Sequence, residues 1–343
     1  MSTIRIGVLR LVDSAPVLVA AERGLFAGLG LEVTVEVEPS WANIADKLTY
    51  GLLDAAVMLP PLALAAAMGL RGPATKLLVP LSLSQGGNTV VLSPEATAAV
   101  ADGRGIAPWL QSRSQRPRFG VVHVFSTHNL LLRYWLATAG ADPVRDIETV
   151  VVPPEGVVTA LANGRLDGFC AGAPWGGLAV EMGAGHILLG TSSIWPHHPE
   201  KCLAVGQAWV EAHPEGLVLL LRALLRAQTL CDDPAEAPDI AAMLARSDTL
   251  CLPEGPSRAA LPGGDAMEHI RFQEGARWFP ERAHALWFLH QMQRWGWISA
   301  EANVAEVALR VYRPDLLGPA LTAEGMLLHD IPVLQAAAPA PPG

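Results

Sequence analysis

The chain is poor in charge. Only 17% of its 343 residues are Asp, Glu, Lys or Arg, and nowhere do Lys and Arg gather into a run. With a net charge of −9 it offers no electrostatic footprint for a phosphate backbone, which excludes direct nucleic-acid binding. An acidic chain also repels anions at long range, so any anion site must carry its own local positive potential. Cysteine is scarce too. Cys170, Cys202, Cys231 and Cys251 form no CxxC pair and no metal-ligand spacing. They read as buried free thiols, in keeping with a reducing compartment. Outside amphipathic core helices there is no apolar run long enough for a membrane span. The opening MSTIRIGVLRL lacks a basic n-region, an apolar h-region and a small-residue cleavage site, so a cytoplasmic protein is expected.

What is present is apolar. The chain is 51% hydrophobic with 10 Trp, enough for large cores, and its length favours two domains. IRIGVL (4–9) alternates like a strand, and Ser14 stands as N-cap of a helix APVLVAAER that Gly24 ends. LEVTVEVE (31–38) has a clean period of two. Ser40 caps WANIADKLTY, and LDAAVML (53–59) reads as a buried strand. Strands and helices alternate, as in parallel α/β architecture.

The pattern then recurs 113 residues later. Arg5-Ile6-Gly7-Val8 becomes Arg118-Phe119-Gly120-Val121, the cap Ser14 becomes Thr127, and Gly51-Leu52-Leu53-Asp54 becomes Gly164-Arg165-Leu166-Asp167. Pro61 becomes Pro174 at the same offset. One constant offset over several blocks predicts two lobes of one plan, facing each other across a crevice where ligands bind. The expected division is lobe 1 over 1–92, lobe 2 over 93–208, helices of 209–330 returning to lobe 1, and a disordered Pro/Ala tail over 331–343. The segment 85–117 reads as a Gly/Ser/Pro-rich link and 253–266 as a long loop.

Trp41, Asn88, His128 and Lys201 fall at the predicted crevice. Each alone has an ordinary structural use: packing, turn chemistry, a helix start, a solvated surface. Together they suit a small oxyanion. A helix N-terminus offers unpaired N–H groups, His128 and Asn88 add donors, Lys201 adds the full charge, and the Trp41 face can cover a planar ligand. Nitrate, nitrite or bicarbonate fits this better than phosphate, which favours bidentate Arg.

SWANIADKL, FSTHNLLLRYWLA, VVPPEGVV, GRLDGFCAGAPW and HPEKCLAV resemble the nitrate- and bicarbonate-binding proteins of ABC transporters and their cytoplasmic relatives, the NasS-type nitrate sensors. The resemblance runs from about residue 3 to residue 320. It implies a type II periplasmic-binding-protein fold, α/β, with two lobes around a central cleft. It places Trp41, Asn88, Thr127, His128, Gly172 and Lys201 in that cleft. It gives Lys201 the place of the lysine that marks nitrate binders, where bicarbonate binders carry an acidic residue and use a metal. The family pattern GEPW is Gly172-Ala173-Pro174-Trp175 here, and the lost Glu speaks against a metal-assisted site.

The resulting expectation is a cytoplasmic nitrate/nitrite sensor, with neither metal nor cofactor. It would release an ANTAR-type antiterminator when the anion binds. The alternative is the substrate-binding component of a nitrate or bicarbonate ABC importer. A remote third reading is an enzyme of the same fold with Cys170 as nucleophile and His128 as its base. Lys201→Ala is expected to cost anion affinity by roughly 2–5 kcal/mol with the fold intact.

Overall fold

The structure, a computed structural model, describes residues 3–101, 105–273 and 278–326. The chain lays down β1 (Ile4–Val8), β2 (Val33–Val37), β3 (Ala55–Met58) and β4 (Leu77–Gly86), then crosses over. Next come β5 (Asn88–Leu92), β6 (Arg118–Val121), β7 (Glu148–Val151), β8 (Gly168–Gly172) and β9 (His186–Gly190). It then crosses back for β10 (Pro199–Gly206) and the short β11 (Ile270–Arg271). The first sheet has the order β11-β4-β10-β3-β1-β2 and the second β7-β6-β8-β5-β9. This is the type II periplasmic-binding-protein fold.

The internal repeat is real in three dimensions. In lobe 1 the Arg5 N–H and guanidinium donate to Asp54 and the guanidinium also to the Gly51 carbonyl. In lobe 2 the Arg118 N–H donates to Asp167 at 2.7 Å and its guanidinium to the Gly164 carbonyl. The strand pairs match as well: β1 runs parallel to β2 and β3, and β6 parallel to β7 and β8. Each sheet is completed by the strand that enters from the other lobe, and that strand is antiparallel: β10 against β3 and β4, β5 against β8 and β9.

Several local expectations need correction. The lobes exchange chain at 86–88 and 190–199, not at 92 and 208, because β5 pairs in the second sheet and β10 in the first. The segment 85–117 is no bare link, since it holds β5 and the helices Pro94–Ala101 and Ile106–Gln111. The expected loop 253–266 contains the helix Glu254–Ala260. Ser14 does not cap with its side chain, for its hydroxyl donates to the Leu9 carbonyl. Ser126, not Thr127, caps the helix Thr127–Thr138 by accepting from the Asn129 N–H. The capping signal lay one residue upstream, where a second hydroxyl competed for it. Ser40 does cap its helix, accepting from Asn43. Of the four free cysteines, Cys251 is exposed. The tail 331–343 lies outside the described residues.

The later helices bind both lobes rather than lobe 1 alone. Pro214–Asp232 packs on the helix Ala15–Glu22 of lobe 1. Glu254–Ala260 packs on Trp175–Glu181 of lobe 2, and Arg282–Arg294 touches both Pro60–Ala67 and Thr127–Thr138. Among the described residues no helix is long and apolar enough to cross a membrane.

Candidate functional site

Lys201 is one of three lysines in the chain, with Lys47 and Lys76, and it is 1% exposed. It points inward, as its place ahead of the apolar CLAV run suggested, but it is not alone. Its ammonium lies 2.8 Å from Glu200 Oε1 and 3.1 Å from Asp13 Oδ2. The two carboxylates are as buried as the lysine. With all three ionised the cluster carries a net charge of −1, counted over Asp13, Glu200 and Lys201. A lone inward cation was therefore the wrong picture: its counter-ions are built in.

The other expected residues gather around this trio. Asn88 Nδ2 donates to Glu200 Oε2 at 2.7 Å. The His128 Nε2 accepts from the Val122 N–H at 3.4 Å, which leaves the proton of the neutral ring on Nδ1, 3.5 Å from Glu200 Oε1. Trp41 opens the helix Trp41–Thr49, and its ring lies 5.7 Å from the Lys201 ammonium, a cation–π contact. Gly172 ends β8 opposite Asn88. A Cβ there would come 3.3 Å from Asn88 Oδ1 and 3.4 Å from Asp13 Oδ2, so the bare backbone leaves room beside both. Thr127, the residue before His128, is buried.

These side chains are not mutually satisfied. Trp41 Nε1, Asn88 Oδ1, Thr127 Oγ1 and His128 Nδ1 are all buried without a hydrogen-bond partner. Leaving one buried polar group unpaired costs about 1–3 kcal/mol. Three of the four, on Trp41, Asn88 and His128, belong to side chains at the trio and describe a site made for something polar, and two of those three atoms are N–H donors.

Electrostatics sharpen the roles. Burial would raise Glu200, but Lys201 and then His128 and His198 outweigh it and hold its pKa down to about 2. Burial would lower Lys201, yet Asp13 and Glu200 keep it raised and charged. Burial pushes Asp13 upward against the pull of Lys201, with Glu200 adding to the rise. Burial lowers His128 and keeps it neutral in spite of Glu200. Among the described residues no three His, Cys, Asp or Glu side chains are arranged to hold a metal ion. Cys170 lies inside β8, and burial pushes its thiol well above the ordinary value, the opposite of an activated nucleophile.

Asp13, Glu200 and His198 were missed in the sequence. Neighbours along a strand point to opposite faces, so a reading that turned Lys201 inward turned Glu200 outward. The β10 register shifts between Pro199 and Lys201 and again before Cys202. A bulge of this kind lets consecutive side chains reach one place. The pair of Pro flanking HisHis in WPHHPEK was the available signal for irregular backbone.

A sequence model of the NMT1-like family matches residues 1–245. The chain belongs to the NMT1-like family. Within it, the chain is similar to the nitrate import ATP-binding protein NrtC of Synechocystis, 37% identical over 336 residues, 92% of this chain and 49% of that one. It is 34% identical to the bicarbonate transport ATP-binding protein CmpC of Synechococcus elongatus, over 94% of this chain and 50% of the relative. The chain thus spans about half the length of these relatives. The nitrate/nitrite binding protein NrtA of Synechococcus elongatus is 32% identical over 96% of this chain and 79% of its own. The crystal structure of periplasmic nitrate-binding NrtA from Synechocystis superposes with a TM-score of 0.89 at 26% identity, covering 97% of this chain and 91% of that one.

Proposed function

We propose that the protein is a nitrate/nitrite receptor, the substrate-binding component of an ABC importer. The observation that carries this reading is the group of unpartnered buried polar atoms on Trp41, Asn88 and His128, the three side chains gathered at Lys201 and Glu200. Trp41 Nε1–H, the Thr127 hydroxyl, His128 Nδ1–H and the remaining ammonium proton can all donate to a small planar oxyanion. A site of donors in a water-excluded cleft recognises an acceptor-only ligand such as nitrate. The similarity to NrtA and NrtC supports the same ligand class. The chain carries a lysine where the resemblance gives bicarbonate binders an acidic residue, which favours the nitrogen oxyanions and a site without metal.

Calorimetric titration with nitrate, nitrite and bicarbonate, the last with and without calcium, tests the reading. Micromolar binding of nitrate or nitrite is expected. Binding of bicarbonate alone would sink it.

A sensor would use the same cleft, and a cytoplasmic location with an ANTAR-type partner belongs to that second reading. NrtC is a nitrate import protein and CmpC a bicarbonate transport protein, which makes the importer the better-supported function. Nitrate-dependent release of an ANTAR antiterminator from this chain would reverse the preference.

A further inference from the structure

The buried charge count sets a problem for any anion. Asp13, Glu200 and Lys201 already sum to −1 when ionised, in a cluster no more than 2% exposed. Adding a monovalent anion would bring the enclosed charge to −2, and uncompensated buried charge is strongly disfavoured. Glu200 is fixed as an anion by its contacts with Lys201, Asn88 and His128. Asp13 is held differently. From β10 it faces Lys201 and Glu200, from the helix Thr127–Thr138 it faces His128, and from β4 it receives the Ser84 hydroxyl. On the side of β8 it meets Gly172, which has no side chain to satisfy it. Among the described residues its only salt-bridge partner is the ammonium an arriving oxyanion would also need.

We propose that the cleft takes up its oxyanion together with one proton from solvent, which Asp13 accepts as the anion replaces it as a counter-ion of Lys201. The enclosed charge then stays at −1. The neutral carboxyl gains an O–H that can donate to the bound oxyanion, converting a repelling group into a further donor. Burial already biases Asp13 toward the protonated form, and Glu200 adds to that bias. Displacing Lys201 from it removes the main opposing attraction. This inference rests on the nitrate/nitrite reading above and adds a proton to it.

The test is titration of the full chain with potassium nitrate at pH 8 in two buffers of very different ionisation enthalpy, then across pH 6 to 9. The expected result is uptake of about one proton per anion, with affinity falling about tenfold per pH unit at the alkaline end. In Asp13→Asn the uptake disappears and affinity no longer depends on pH, so that at pH 9 the variant binds more tightly than the parent. A merely structural Asp13 would weaken binding at every pH instead, which overturns the assignment. Nitrate binding by the parent chain with no proton uptake overturns the proposal while the receptor reading stands, and it does so even if the variant fails to fold. Absence of nitrate and nitrite binding across the whole pH range overturns the receptor reading itself, and this inference with it.

Discussion

Asn88 and Lys201 stand 113 residues apart at equivalent places on the two strands that cross between the lobes, and both donate to one carboxylate. Asn88 Nδ2 reaches Glu200 Oε2 at 2.7 Å and Lys201 Nζ reaches Oε1 at 2.8 Å. Asn88 pairs with Gly172 at the end of β8, and the same offset relates Gly172 to Leu59, just past β3. The candidate site therefore sits where the two halves of the repeat meet.

Lys201 tests this directly. Replacing it with Met leaves Asp13 and Glu200 buried without their cation, and breaking a buried pair in this way costs about 3–5 kcal/mol. The expectation that the fold would be untouched on losing Lys201 is thus replaced. Lys201→Met should lower both thermal stability and anion affinity. Adding Glu200→Gln and Asp13→Asn to it should recover much of the stability and none of the affinity. Thermal unfolding and calorimetry on the two variants separate the effects. Unchanged stability in the single variant would mean that the cluster is not held as a charged trio.

The repeat makes a second, paired prediction. A Cβ on Gly7 would come 2.5 Å from a Leu53 methyl, and one on Gly120 would come 2.6 Å from the equivalent Leu166 methyl. Gly7→Ala and Gly120→Ala should each destabilise by about 1–3 kcal/mol through overpacking. The double variant should be additive, because the two sites lie in separate sheets. Denaturant unfolding of the three variants gives the comparison.

Much of this was legible in the sequence, for physical reasons. Blocks that share one offset must share backbone geometry, so Arg5 with Asp54 and Arg118 with Asp167 announced the repeat before any coordinates. Trp41 and His128 were legible because helix starts carry strong local signals. Lys201 was legible because a charge at the edge of a buried strand must be turned somewhere. What was hidden was pairing. Asp13 sits in a DSAP turn whose local chemistry reads as capping, and only the tertiary fold brings it to Lys201. Glu200 was hidden by a bulge that breaks strand alternation, and the crossovers by the fact that each sheet borrows a strand from the other lobe.

Acid should weaken the protein through His198, which is buried, and His123 and His284, which are half-buried. Burial lowers His123, His198 and His284 to about 4 each, from an ordinary value of 6.5. Between those values the unfolded chain binds protons that the folded chain refuses. Their contribution is therefore complete above pH 6.5 and is lost as pH falls toward 4. Glu200 adds a second, more acidic limb. Its folded pKa of about 2 lies below the ordinary 4.5, so its contribution is present above pH 4.5 and fades only as pH drops toward 2. The melting temperature should fall steadily from pH 6.5 to pH 4. His284→Gln, which keeps a polar side chain beside Trp195, should flatten that slope; an unchanged slope would exclude His284 from the effect.

The last prediction concerns how the enclosed site opens. Since Lys201, Asp13 and Glu200 are buried, an anion can enter only when the lobes part, and the chain crosses between them at Gly86-Gly87 and again after Gly190. Glu268 touches both crossings. It accepts from the Gly87 N–H at 3.1 Å, from the Ser192 N–H at 3.4 Å and from the Ser192 hydroxyl. A Cβ on Gly190 would collide with the same carboxylate, so the glycine is what lets Glu268 lie against the second crossing. One anion thus fastens two strands that must bend together. Glu268→Gln replaces one acceptor oxygen by an N–H₂ facing N–H donors, at a cost of about 1–3 kcal/mol. Amide exchange should quicken at residues 86–92 and 190–194 together, and anion affinity should fall as the closed form loses population. Faster exchange at one crossing only would show that they bend independently, and that Glu268 is a local brace rather than a common latch.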